Sequence, residues 1–132
     1  MDKLILKQFT GNLKIKYKNV LQSLKLTYNT DEEQPFIYLD LIKIKKQQQC
    51  LGWGSTVLSD IINLADKEQL EIRLYATNIY GSELKRLYEF YLKHGFILNN
   101  DDNNYKDSKF IYKPKTNRKR KTKLIEKTLV LL

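Results

Sequence analysis

The stretch Gln49-Cys50-Leu51-Gly52-Trp53-Gly54-Ser55 decides how the rest of the chain reads. Before it stands an apolar, β-branched segment, Phe36-Ile37-Tyr38-Leu39-Asp40-Leu41-Ile42-Lys43-Ile44, which has the signature of a strand. After it, Val57, Leu58, Ile61, Ile62 and Ala65 recur at the spacing of one helix face. Two glycines one residue apart at a strand-to-helix junction remove the Cβ atoms that would keep a ligand from the backbone. The helix that follows begins with unpaired N–H groups and the positive end of its dipole, which together suit a phosphate or pyrophosphate. A tight turn without a ligand satisfies the same pattern.

Working outward, residues 3–8 read as a first strand. Leu13, Ile15 and Tyr17 alternate with Lys14, Lys16 and Lys18, a period of two that predicts a half-buried strand with a cationic face. Leu24, Leu26 and Tyr28 repeat it, and Asn29 to Pro35 forms a polar turn. Residues 12–45 are therefore expected to be a three-stranded antiparallel meander. Leu70, Ile72, Leu74 and Ala76 alternate with Glu71, Arg73 and Tyr75 in a second central strand. Ser82 is placed to cap a second helix with Leu84, Leu87, Tyr88, Tyr91 and Leu92 on one face, and Gly95 to end it. Phe96-Ile97-Leu98 and Lys109-Phe110-Ile111-Tyr112 flank a loop rich in Asn and Asp and close the sheet. The expected order is β-β-β-β-α-β-α-β-β: a mixed sheet with a right-handed parallel crossover and helices packed on it.

At 132 residues, with 42% hydrophobic and 30% charged residues, the chain suits one soluble domain. No apolar run approaches the ~20 residues that span a bilayer. The N-terminal Met1-Asp2-Lys3-Leu4-Ile5-Leu6-Lys7 is too short and charged for a secretory signal. One cysteine and one histidine leave no metal-ligand cluster, and Cys50 without a partner fits a reducing, cytoplasmic setting. A Cys50–His94 nucleophile pair is disfavoured because Cys50 lies inside the proposed phosphate cradle. The net charge of +9 is concentrated at one end. Residues 113–132 hold eight basic residues against one acidic, leaving the body at only +2. Pro114 therefore divides a domain, 1–113, from a basic tail, 114–132.

Together these pieces resemble the GCN5-related N-acetyltransferase (GNAT) superfamily. Gln49-Cys50-Leu51-Gly52-Trp53-Gly54 matches its Gln/Arg-x-x-Gly-x-Gly/Ala motif between a central strand and a helix. Tyr91-Leu92-Lys93-His94-Gly95-Phe96 matches its second signature, a helix ending in Tyr, three residues, then Gly-Phe. The resemblance covers roughly residues 12–112. The compact layout is also similar to the small phage-encoded anti-CRISPR acetyltransferases, through Leu74-Tyr75-Ala76 and Glu89-Phe90-Tyr91.

The resemblance implies an α/β (α+β mixed) fold with splayed central strands, two main helices and reduced N-terminal helices. It implies acetyl-CoA as the cofactor, with backbone groups of Gln49, Cys50, Leu51, Gly52, Trp53, Gly54 and Ser55 on the pyrophosphate. The strand segment Ile42-Lys43-Ile44 would face the pantetheine arm, with main-chain groups of Ile42 and Ile44 paired to it. Tyr91 stands at the position of the acid that protonates the leaving thiolate, and its other reading is a core tyrosine. Asp40, mid-strand among apolar neighbours, is the candidate base, its other reading being an ion pair with a lysine. Asn78 resembles the family's Asn after the second central strand, at a longer spacing. Short N-terminal elements imply an open acceptor pocket suited to a protein amine.

The tail residues Lys113, Lys115, Arg118, Lys119, Arg120, Lys121 and Lys123 offer phosphate contacts without interleaved aromatics, so backbone binding without base readout, or simply a solvated tail, is expected. Two other functions fit these residues: a toxin-like acetyltransferase acting on aminoacyl-tRNA, and a non-catalytic module that binds nucleic acid or a partner. A monomer and a homodimer are both compatible with the sequence.

Overall fold

The computed structural model describes residues 1–75, 84–99 and 110–115. The elements run α1 (Lys3–Lys16), β1 (Leu21–Asn29), β2 (Phe36–Ile44), α2 (Trp53–Glu68), β3 (Glu71–Leu74), α3 (Leu84–Lys93), β4 (Ile97–Leu98) and β5 (Phe110–Tyr112), with a 3-10 turn at Lys46–Gln48. The predicted Ser82 cap, Asn78, the loop 100–109 and the tail beyond Lys115 lie outside the described residues.

The first two expected strands are instead one helix, α1. Its N-terminus is capped by Asp2, whose Oδ1 accepts from the N–H of Ile5 at 2.9 Å. Leu6, Leu13 and Tyr17 are buried, while Ile15, which a strand would have placed beside Leu13 and Tyr17, is 72% exposed. Spacings of seven and four outweigh the alternation because Leu13 and Tyr17 both reach the core. The Tyr17 hydroxyl donates to Asp60 of α2 at 2.5 Å, and its ring meets Trp53 edge-on at 6.2 Å. The sheet meander therefore has two strands, not three, and the N-terminal helical part is larger than expected. Gly11 lies in the interior of α1, and a Cβ there meets nothing within 4 Å. Gly11→Ala is expected to raise the unfolding free energy by about 0.5–1 kcal/mol, read from the denaturant midpoint.

The five strands lie in the order β1-β2-β3-β5-β4. β1 and β2 are antiparallel, β2 and β3 parallel, and β5 antiparallel to both β3 and β4. Register pairs Ile37 with Ile72, Ile72 with Tyr112 and Leu74 with Phe110, so these residues share one face. Val57, Leu58, Ile61 and Ala65 of α2, at helical spacing and fully buried, belong to the same core. The Val57, Leu58 and Ile61 side chains each contribute roughly 1.5–3 kcal/mol of transfer free energy. The opposite face carries Arg73, which is 3% exposed. Its guanidinium lies over the Phe36 ring at 3.8 Å and pairs with Glu71 at 2.9 Å and Glu32 at 2.8 Å. Glu71, which its place on the wet side of an alternating strand suggested was solvated, is thus held in an ion pair.

Two irregularities interrupt the β1–β2 ladder. Lys25 pairs with Leu41 and Leu26 with Leu39, which leaves Asp40 as an extra residue in β2. A bulge bends and twists its strand. The pairing of β2 with β3 covers Phe36 to Tyr38, and β3 ends at Leu74, whereas β1 follows β2 to Ile44. The expected splay of the central strands concerns the continuation of β3 past Tyr75, which lies outside the described residues.

Candidate active site

The Gln49–Ser55 turn leads from the end of β2 into α2. Cys50 and Gly52 both have positive φ, +63° and +88°, which reverses the chain sharply. Gly52 occupies the cap position of α2 and offers no side-chain hydrogen bond. The contrast with Asp2 on α1 is direct. The first intrahelical bond at this end is from the N–H of Thr56 to the carbonyl of Gly52, at 3.2 Å. The N–H groups of Trp53, Gly54 and Ser55 have no hydrogen-bond partner among the described residues. Three convergent orphan donors at the positive end of a helix favour an anion.

These groups border a cavity of about 350 Å³ lined by Ile44, the turn, Arg86 and Phe90. Its walls come from β2, the start of α2 and α3. Gln49, Cys50, Gly52, Trp53, Gly54 and Ser55 all line it, as does Ile44; Leu51 is exposed beside it. Ile42 and Lys43 stand just before Ile44 on β2 and are partly buried. One expected ligand group is already bonded within the chain: the Gln49 side-chain amide donates to the Ile44 carbonyl at 3.1 Å. Trp53 packs on Tyr17, which explains its size between two glycines. A Cβ at Gly54 would stand 3.6 Å from Phe90 Cζ, an ordinary contact, so Gly54 matters for access and Gly52 for backbone conformation.

Arg86 was missed at the sequence level, because its place on a helix gives no sign that it faces the turn across a gap. The same holds for His94, whose Nε2 lies 2.9 Å from Ser55 Oγ. Burial, then the Lys93 charge, lowers the His94 pKa, which favours the neutral ring. This contact ties the end of α3 to the first turn of α2 and pairs His94 with Ser55, not with Cys50.

Gly95 ends α3 as predicted, with φ +89° and the N–H of Phe96 bonded to the Tyr91 carbonyl at 3.1 Å. That termination places the Tyr91 ring against Phe96 at 5.4 Å and Phe110 at 5.7 Å. Tyr91 is 9% exposed and belongs to the core cluster; it adjoins Phe90, the cavity wall, at 5.2 Å. Its hydroxyl has no hydrogen-bond partner among the described residues. Burial pushes its pKa up to about 12. Folded and unfolded values of about 12 and 10 mean that this contribution to stability is complete below pH 10 and lost as pH rises through 12. About 2–3 kcal/mol is expected to disappear over that window, and Tyr91→Phe should remove this part of the alkaline loss in pH-dependent denaturant melts.

Asp40 is not the buried carboxylate that its apolar neighbours suggested. The bulge turns it outward: it is exposed, and its Oδ2 accepts from Thr27 Oγ1 at 2.5 Å. It pairs with a threonine where a lysine was the alternative. Of the tail, Lys113 and Lys115 fall within the described residues, and the Lys115 N–H donates to Asp66 of α2 at 3.1 Å.

No protein-family model matches the chain, and comparison with curated proteins finds no match. Among solved structures, the anti-CRISPR protein AcrVA5 is similar over 69% of this chain and 90% of its own, at 25% identity and a TM-score of 0.49. A mutant of the toxin AtaT, bound to the C-terminus of the antitoxin AtaR and acetyl-CoA, aligns over 73% of this chain at 17% identity and a TM-score of 0.48. The KacTA–DNA complex aligns over 76% at 19% identity and a TM-score of 0.48. The chain spans 56% and 61% of the length of those last two. The chain is of the α/β (α+β mixed) class, with a five-stranded mixed sheet in the order β1-β2-β3-β5-β4, three helices and a glycine turn between β2 and α2. Among the described residues no helix is long and apolar enough to cross a membrane.

Proposed function

We propose that the chain is an acetyl-CoA-dependent N-acetyltransferase whose acceptor is an amine, a protein lysine being the favoured class. The observation that carries this reading is the uncapped start of α2 opening into the cavity between the end of β2, α2 and α3. The N–H groups of Trp53, Gly54 and Ser55 hold the pyrophosphate, and Arg86 adds the cation on the opposite wall. Fixed donors of this kind need no reorganisation when an anion arrives. The edge of β2 turned away from β1, from Leu39 to Ile44, has no strand partner among the described residues and offers main-chain groups to the pantetheine amides, in place of a neighbouring strand. Gln49 must release the Ile44 carbonyl for that pairing, and its amide is then free to face the ligand.

Bound acetyl-CoA supplies a thioester that an amine can attack. The acceptor amine must be neutral to do so, and a lysine near pKa ~10.4 requires a base. Asp40, exposed at the bulge, is the candidate base, acting directly or through water. Tyr91 keeps its proton throughout the physiological range and serves as the O–H donor to the departing sulfur. The favoured acceptor class, a protein lysine, includes that of an anti-CRISPR-type effector.

Calorimetry with acetyl-CoA and with CoA tests the reading. One-to-one binding of both, with a gain of one acetyl group on acceptor proteins by intact mass, is the expected outcome. Absence of binding to either ligand overturns it. Acetylation of aminoacyl-tRNA, with protein acceptors untouched, would move the assignment to the RNA-directed alternative.

A further inference from the structure

A second cavity, of about 550 Å³, lies between α1 and β1. One wall is a run of consecutive residues, 24–28 of β1, and the other is the face of α1 that carries Leu6, Thr10 and Gly11. Consecutive lining by a strand means that its backbone edge, not merely one row of side chains, borders the space. β1 is the terminal strand of the described sheet, paired only with β2. An outer strand presents unpaired N–H and C=O groups along that edge.

The chemistry of the walls is one-sided. Lys3, Lys7 and Lys14 from α1 and Lys25 from β1 line the cavity, and no carboxylate does. Lys3, Lys7 and Lys14 are exposed and make no ion pair among the described residues. Between the cations lies apolar surface: Leu6 and Leu24 are buried and Leu26 is partly so. A polyanion such as nucleic acid would satisfy the lysines but leave the apolar floor and the strand edge unused. A peptide satisfies all three at once, because alternate side chains of a strand point to opposite sides. Its main chain pairs with β1, its apolar side chains meet the leucines, and its carboxylates meet the ammonium groups.

We propose that this slot binds an extended acidic peptide segment of a partner protein, which adds to the sheet as a strand beside β1. The site is separate from the acetyl-CoA cavity and does not depend on the acetyltransferase reading. Gly11 keeps the α1 wall low, so a large side chain there fills the slot without straining the helix.

Fluorescence anisotropy on the full chain tests the proposal, with a short labelled peptide alternating glutamate with leucine and valine. Binding is expected to weaken with added salt. Lys7→Glu with Lys14→Glu should weaken it by roughly tenfold or more, as should Gly11→Phe, with circular dichroism confirming that both variants fold. Two versions of the peptide, N-methylated at alternate residues in opposite registers, probe the main-chain pairing without altering the protein. One of the two must lose roughly tenfold in affinity, because only one row of peptide N–H groups faces β1. The proposal is overturned by equal binding of the peptide with lysine in place of glutamate, by undiminished binding of both methylated peptides, or by a single-stranded oligonucleotide displacing the peptide at lower concentration than the unlabelled peptide itself.

Discussion

On the proposed reading, replacement of Tyr91 by phenylalanine is expected to lower the rate of acetyl transfer roughly 100-fold and to leave acetyl-CoA affinity within about twofold. The magnitude follows from the acidity of the group. With its pKa pushed up to about 12 by burial, the Tyr91 phenol is a weak acid toward a thiolate. A thiol has a reference pKa near ~8.5, so full transfer of the proton would be uphill by about 5 kcal/mol if the sulfur kept that value in the cleft. In the proposed mechanism Tyr91 is therefore a hydrogen-bond donor to developing charge, which sits at the low end of the ~10²–10⁴ range for proton-transfer groups. The packing against Phe96 and Phe110 involves the ring alone, so phenylalanine preserves it. Steady-state rates at saturating acetyl-CoA measure the effect. A variant as fast as the parent would remove Tyr91 from the chemistry and leave it a core aromatic residue.

The second large effect concerns the turn. Gly54→Val is expected to weaken CoA and acetyl-CoA binding by on the order of 100-fold, equivalent to two charge-assisted hydrogen bonds of about 1.5 kcal/mol each. A Cβ at this position already reaches ordinary contact with Phe90, so the two γ carbons of valine must project into the cavity or displace that ring. Gly54→Ala should bind nearly as well as the parent, since the first carbon fits. Gly52→Ala behaves differently. Its φ of +88° is strained for any L side chain, and the expected loss is about 1–2 kcal/mol of folding stability with the binding groups still present. Titration calorimetry and denaturant melts on the three variants separate access from conformation. Equal binding by Gly54→Val would show that the ligand does not use this cavity.

Much of this arrangement was legible in the residues. The apolar run of β2, the 57-58-61-65 stripe of α2 and the alternation of β3 each have one dominant period, and each folded as that period demands. Gly95 was readable because a helix end needs a residue that accepts positive φ. The segment 12–18 was not, because Leu13, Ile15 and Tyr17 satisfy a period of two while Leu6, Leu13 and Tyr17 satisfy a helix. Local pattern cannot choose between them, and Asp60 and Trp53, more than thirty residues away, supplied the contacts that did.

The site divides in the same way. Sequence alone determined the chemistry of the turn: two glycines where a strand meets a helix, with no capping side chain. It also placed a tyrosine and a helix-ending glycine one helix later. Only the tertiary structure decided what faces that turn. Arg86, Phe90 and the His94–Ser55 contact reach it because α3 packs beside α2, a consequence of core burial and not of spacing along the chain. It likewise turned Asp40 out to Thr27, because a bulge depends on how two strands pair, and pairing is a property of both strands together.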